Sequence, residues 1–163
     1  MTQYVKIAGV SVAIAAIVLA FIFLGRGGDE QQIHDQLDRL EELGSKPAGE
    51  SQIQSLTQAK KIADCFTEQA EVRIMPRLSY SSDRKELTGM MVGARSQVDS
   101  SEVSLGNRNI KVSEDGQRAT VIITGTASIV VGGQSERHKD RYRMEWVKVD
   151  GDWLIASVAP QDN

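Results

Sequence analysis

The segment from Tyr142 to Val158 reads YRMEWVKVDGDWLIASV and decides the fold. Apolar and polar residues alternate before Asp150-Gly151, and this dipeptide accepts the positive φ angles of a tight hairpin turn. The segment therefore predicts two antiparallel strands joined at this turn. The second strand, from Trp153 onward, is apolar on both faces, which indicates that it is covered on both sides.

Turn dipeptides divide the rest of the C-terminal half in the same way. Asp115-Gly116 and Gly132-Gly133 separate segments in which apolar and polar residues alternate, from about Glu102 onward. Asp-Gly and Gly-Gly at such positions keep the right-handed twist of the paired strands. The sequence therefore predicts a long antiparallel meander that ends in the hairpin described above.

Helices and one short strand are predicted before the meander. Apolar residues at helical spacing indicate one helix that ends at Gly44 and a second that begins near Ser51 with a capping box to Gln54. The apolar stripe of this second helix is predicted to comprise Ile53, Leu56, Ala63, Phe66 and Ala70. Residues 71–75 alternate and predict a strand, and a third helix is predicted from about Ser82. This order predicts an α+β domain with helices packed on one face of a curved antiparallel sheet.

The closing hairpin has the pattern W-x-x-V-D-G-x-W-x-I and, with the element order before it, resembles the nuclear transport factor 2-like superfamily, including its SnoaL-like branch. The residues that carry the resemblance are Trp146, Asp150, Gly151, Trp153 and Ile155, with the strand before Pro76. The resemblance spans residues 51–159 and implies a cystatin-like cone, in which a hollow lies between the helices and the sheet. That fold hosts isomerases, dehydratases, hydrolases and cyclases beside domains with no chemistry, so it implies no single function.

The strand over residues 137–149 divides into two faces, because side chains alternate along a strand. One face carries Tyr142, Met144 and Trp146, and we expect it to line the hollow that the resemblance implies. The other face is rich in arginine and is expected to meet solvent or a partner. The predicted ligand-binding residues are Tyr142, Met144 and Trp146, together with Arg73 on the short first strand.

Asp140 and His138 share the predicted inner face of this strand. A carboxylate beside an imidazole can work as a general base if burial raises the carboxylate pKa or the histidine is held in one tautomer. The favoured alternative is that both side chains are solvated, because the surrounding SERHKDR is polar throughout. The tyrosine and aspartate pattern of the related enzymes is not matched residue by residue. No catalytic residue is therefore assigned, and Asp140, His138 and Tyr142 are the candidates if the chain is an enzyme.

Metal, cofactor and nucleic-acid chemistry are not indicated. Two histidines and one cysteine do not make a zinc site, and the sequence contains no H-E-x-x-H, G-x-S-x-G or P-loop motif. We therefore expect no metal and no cofactor. The formal net charge is −3, and phosphate neutralisation needs a basic surface, so a nucleic-acid partner is disfavoured.

Residues 7–24 read IAGVSVAIAAIVLAFIFL and contain no charged side chain. As a helix this run would span roughly 27 Å, close to the ~30 Å hydrocarbon core of a bilayer. A cleaved signal would have a shorter apolar region that ends in small residues. The sequence therefore predicts an uncleaved anchor in contact with membrane lipid. Its position predicts a single-pass protein of the inner membrane whose C-terminal domain is exported to the periplasm.

Three parts are predicted: an anchor over residues 1–26, a linker with a short amphipathic helix over residues 27–50, and a nuclear transport factor 2-like domain over residues 51–163. We expect a non-catalytic binding or assembly module in a membrane-associated complex. The alternative is a membrane-tethered isomerase, dehydratase or hydrolase that uses the hollow. Helices cover one side of a sheet only, so apolar residues on the other side predict a homodimer or contact with another subunit of such a complex.

Overall fold

A computed structural model describes residues 28–75 and 78–161 of the protein, with the backbone alone for residues 74, 75 and 78–81. The predicted anchor over residues 7–24 lies outside the described residues. Within the described ranges, none of the helices combines the length and the apolar character needed to cross a bilayer.

The described chain forms helices on one side of a six-stranded sheet. Helix α1 covers residues 28–44 of the described chain. The remaining elements are α2 (Gln52–Ala63), β1 (Phe66–Met75), β2 (Leu78–Asp83), α3 (Arg84–Ser96), β3 (Ser100–Val112), β4 (Arg118–Val131), β5 (Gln134–Val149) and β6 (Asp152–Pro160). The order of strands in the sheet is β2-β1-β6-β5-β4-β3. The predicted α+β class is confirmed.

The sheet is mixed, so the prediction of an entirely antiparallel sheet is wrong at one pair. β1 runs parallel to β6, with Val72 beside Val158, while the other neighbouring strands are antiparallel. A parallel pair needs a long crossover connection. Here that connection consists of β2, α3 and the meander β3–β5, which no local sequence signal reveals.

Helix α2 begins where the sequence predicts and buries a different face. Gln54 donates its backbone N–H to Ser51 Oγ at 3.2 Å, and its side chain accepts from the Ser51 N–H at 2.9 Å, which completes the predicted capping box. Of the predicted apolar stripe only Ala63 is buried in this helix, because Ile53 is 80% exposed, Leu56 is 41% exposed and the helix ends at Ala63. Phe66 and Ala70, assigned to the stripe, lie in β1. The buried face of α2 is Ser55, Ala59, Ile62 and Ala63.

The turn at Asp150-Gly151 has the predicted conformation. Asp150 has φ of 51° and Gly151 has φ of 89°, which is the pair of positive values that a two-residue hairpin turn requires. The two strands on either side bring Trp146 beside Ile155. Trp146, Trp153 and Ile155 are buried in the core. On the opposite face of β6, Leu154 is half-buried in the single chain.

Helix α1 packs into the same core as the sheet, with Ile33 and Leu37 fully buried. Its first described turn is hydrogen-bonded to the hairpin formed by β5 and β6. Asp29 Oδ1 accepts a hydrogen bond from Lys148 Nζ at 2.5 Å and another from Trp153 Nε1 at 3.2 Å. Because Asp29 is buried, this contact connects the start of the described chain firmly to β5 and β6.

A buried ion pair ties the α1–α2 connection to the end of α3. Arg95 donates from Nη2 to Glu50 Oε1 at 2.5 Å and from Nε to Glu50 Oε2 at 3.1 Å. The same guanidinium donates to the backbone oxygens of Leu43 and Ser45. Burial alone would raise the pKa of Glu50, but hydrogen bonds from Arg95 and Ser55 outweigh it and lower the pKa.

Candidate functional site

A cavity of about 550 Å³ lies between the helices and the inner face of the sheet. Its floor is formed by buried apolar side chains from α2 and four strands: Ile62, Phe66, Ile123, Met144 and Ile155. At its mouth lie exposed polar side chains of β5, namely His138, Lys139 and Asp140. The cavity is polar at its mouth and apolar at its floor because β5 passes from the polar segment SERHKDR into the apolar core.

The inner register predicted for β5 is what the structure shows. Tyr142 and Met144 both lie in the cavity wall, and Met144 is buried at the floor. Trp146 continues the same face into the core below the cavity and does not contribute to the wall. Arg73 lies elsewhere: it is exposed on β1, outside the wall, with Nη2 3.5 Å from Glu71 Oε1.

Asp140 and His138 both reach the mouth of the cavity but do not pair with each other. Asp140 Oδ1 accepts the backbone N–H of Arg141 at 2.8 Å. His138 Nε2 lies 3.4 Å from Glu136 Oε2, and its side chain is 68% exposed. Both side chains are therefore solvated, as the favoured interpretation of the sequence predicts. The oriented carboxylate and imidazole pair of the other interpretation is not formed.

Tyr142 lies on a glycine of the neighbouring strand. A Cβ atom added to Gly125 would lie 3.0 Å from Cε2 and 3.2 Å from Cδ2 of the Tyr142 ring. Gly125 pairs with Asp140 in the register between β4 and β5, and both residues line the cavity. The ring is therefore in close contact with the sheet. The sequence did not single out Gly125, although an isolated glycine within a strand pattern often marks a place where another group approaches the backbone closely.

The surroundings of Tyr142 favour its neutral form. Burial raises the pKa of the phenol, and the nearby Asp140 carboxylate raises it further. Both effects disfavour the phenolate, which would be partly desolvated and beside another negative charge. Tyr142 is therefore a protonated hydroxyl at neutral pH, able to donate and to accept a hydrogen bond.

Other chemistry-bearing groups of the described chain lie apart from the cavity or do not converge. Cys65 is buried, and burial raises the pKa of its thiol, so it carries little of the reactive thiolate form. Over residues 28–75 and 78–161, no three side chains of His, Cys, Asp or Glu come together as a metal site.

Comparison with protein-family models matches a SnoaL-like domain over residues 54–159. This range covers most of the chain, and the chain belongs to the SnoaL-like family. The predicted nuclear transport factor 2-like fold is therefore confirmed. A comparison with curated proteins gives no match.

Three solved structures from one organism have the same fold. An NTF2-like protein with a cystatin-like fold from Novosphingobium aromaticivorans has a TM-score of 0.65 at 15% identity, over 91% of this chain and 86% of that chain. A candidate scytalone dehydratase from the same organism has 0.61 at 17%, over 82% and 80%. A candidate aromatic ring hydroxylase, again from that organism, has 0.67 at 14%, over 82% and 88%. At these identities the likeness shows the fold alone.

Proposed function

We propose that this domain binds a small, largely apolar molecule in the cavity between its helices and its sheet. The observation that carries the proposal is the cavity itself, about 550 Å³ with a floor of buried apolar side chains. Sites for small molecules have volumes of roughly 300–1,000 Å³, with mostly apolar walls and a few polar groups that fix orientation. The side chains of Tyr142 and Asp140 supply such polar groups near the mouth.

Binding without chemistry is the function that the geometry supports best. The floor carries no acid or base among the described residues, and the side chains of His138, Lys139 and Asp140 at the mouth are exposed. A general base needs a pKa matched to its task and a fixed geometry toward the bound molecule. The separate contacts of Asp140 and His138 do not give them that fixed geometry toward a molecule on the floor.

An enzyme is the second candidate, favoured by the protonated Tyr142 beside Asp140 in the cavity wall. A hydroxyl and a carboxylate on one face could act as acid and base in an isomerase, dehydratase or hydrolase reaction. Two proteins of the same fold are described as a candidate dehydratase and a candidate ring hydroxylase. Turnover lost in both Tyr142→Phe and Asp140→Asn variants would support this candidate over simple binding.

The membrane setting belongs to the same proposal. We infer that residues 7–24 anchor the chain in the inner membrane by lipid contact and that the domain faces the periplasm. There it acts as a module of a membrane-associated complex, with no nucleic-acid partner. Half-buried Ile122 and Leu154 on the outer face of the sheet are the proposed contact with a second copy or another subunit.

The binding proposal can be tested on the full-length chain in lipid nanodiscs, because detergent would compete for an apolar cavity. The two tryptophans of the chain are both buried in the core and can transfer energy to a bound apolar dye such as N-phenyl-naphthylamine. We expect saturable energy transfer above that of empty nanodiscs.

A matched pair of variants separates the cavity from the surface. Ala127 lines the cavity, whereas Ser128 follows it on the opposite face of β4. We expect Ala127→Phe to abolish the saturable transfer and Ser128→Phe to leave it unchanged. Equal binding by Ala127→Phe and the wild type would refute the proposed site.

A further inference from the structure

The hydroxyl of Tyr142 has no hydrogen-bond partner among the described residues, although the side chain is half-buried in the cavity wall. A partly desolvated hydroxyl gains free energy when a bound molecule supplies the missing partner. Asp140 lies two residues away on the same face of β5. The cavity therefore offers one donor and one acceptor side by side, above an apolar floor.

The position of the Tyr142 ring depends on the absence of a side chain at Gly125. With a Cβ at 3.0 Å from Cε2, the ring would have to shift by a few tenths of an ångström, because carbon atoms that are not bonded prefer separations of about 3.5–4.0 Å. The sheet backbone lies on one side of the ring and the cavity on the other. A shift of the ring away from Gly125 would therefore narrow the cavity that Tyr142 lines.

We propose that Gly125 and Tyr142 are the specificity-determining pair of the cavity, and that the bound molecule is an apolar compound carrying a hydroxyl or carbonyl oxygen. That oxygen accepts a hydrogen bond from the Tyr142 hydroxyl, and a hydroxyl on the ligand can also donate to Asp140. Gly125 keeps the ring against the sheet so that the floor stays accessible. This inference rests on the proposed binding function and names the ligand class for the same site.

The ligand class can be tested with two probes that differ by one hydroxyl, thymol and p-cymene, each displacing the dye from the full-length chain in nanodiscs. Tyr142→Phe removes only the phenol oxygen and keeps the ring on Gly125. We expect this variant to bind thymol about three- to tenfold more weakly than the wild type, and to bind p-cymene with unchanged affinity. Equal changes for both probes, or no change for either, would refute the role of the hydroxyl.

The role of Gly125 has its own control in Gly106, a β3 glycine beside Thr124 around which an added Cβ would meet nothing within 4 Å. We expect Gly125→Ala to weaken the binding of both probes by about tenfold and Gly106→Ala to leave it unchanged. If Gly125→Ala weakens binding through the Tyr142 ring, the same substitution should not weaken binding in a chain that already carries Tyr142→Leu. An undiminished effect in that background would overturn the pairing of the two residues.

The outcomes separate the inference from the function on which it rests. A wild-type chain that binds dye, thymol and p-cymene without discrimination by Tyr142→Phe would retain the binding function and refute the specificity-determining pair. A wild-type chain that binds none of them saturably would refute both. The melting temperature of each variant in the same nanodiscs checks that a loss of binding does not come from unfolding.

Discussion

Replacing Glu50 by glutamine is expected to destabilise the domain far more than the same change at an exposed ion pair. Glu50 and Arg95 are 4% and 7% exposed, and the change leaves the Arg95 guanidinium buried without its counter-charge. Breaking a buried pair by removing one partner costs about 3–5 kcal/mol. Glutamine keeps one acceptor oxygen for Arg95, so we expect a loss of about 3 kcal/mol in the free energy of unfolding.

Glu68→Gln is the matched control for this change. Glu68 lies 3.0 Å from Arg84 Nη1, but its side chain is 84% exposed. Exposed pairs contribute about 0–1 kcal/mol, so this variant should unfold close to the wild type. Urea unfolding of each full-length variant, monitored by tryptophan emission, measures its free energy of unfolding. A loss of under about 1 kcal/mol for Glu50→Gln would show that the pair behaves like an exposed one.

The pH dependence gives a second measurement of the same pair. Because the pKa of folded Glu50 is lowered below its ordinary value of 4.5, its contribution is fully present above that value and is lost as the pH falls through the folded pKa. The difference in stability between wild type and Glu50→Gln should therefore be constant near neutral pH and shrink below pH 4.5. A difference in stability that stays constant down to about pH 3 would contradict the assigned ion pair.

Three further outcomes are expected. Gly151→Val should lower the free energy of unfolding by about 1 kcal/mol or more, because Gly151 has φ of 89°; an unchanged urea midpoint would contradict the turn. Asp140→Asn should lower the pKa of Tyr142 by removing the charge that raises it, and an alkaline NMR titration of ring-labelled tyrosine that shows no decrease would refute this coupling. Sedimentation of the full-length chain in nanodiscs should reveal a second copy per particle, and particles with one copy only would argue for a different subunit on the outer face.

Local signals in the sequence were enough to predict the turns, the cap and the core tryptophans. The Asp150-Gly151 turn and the Ser51 cap each depend on a few neighbouring residues, so the pattern and the conformation coincide. Trp146 and Trp153 are large apolar groups at inner positions of a strand period, and burial follows from their side of the sheet. The inner face of β5 was predictable for the same reason.

Features that depend on distant residues were not predictable in this way. Ile53 continued an apparent helical stripe, but it is exposed, and the α2 side chains that join the core are Ile62 and Ala63. The parallel β1–β6 pair joins strands separated by most of the domain. In the candidate site, sequence places Asp140 and His138 on one face but cannot show that His138 contacts Glu136 instead.

The two ends of α1 have different contacts, and Asp29 lies near the N-terminal end. Its side chain is hydrogen-bonded to Lys148 and Trp153, next to the turn that joins β5 and β6, whereas Gly44, at the other end of α1, lines the cavity. The two residues are fifteen positions apart on the helix, a distance of about 22 Å. The contacts that fix the N-terminal end of α1 therefore involve none of the residues that line the cavity.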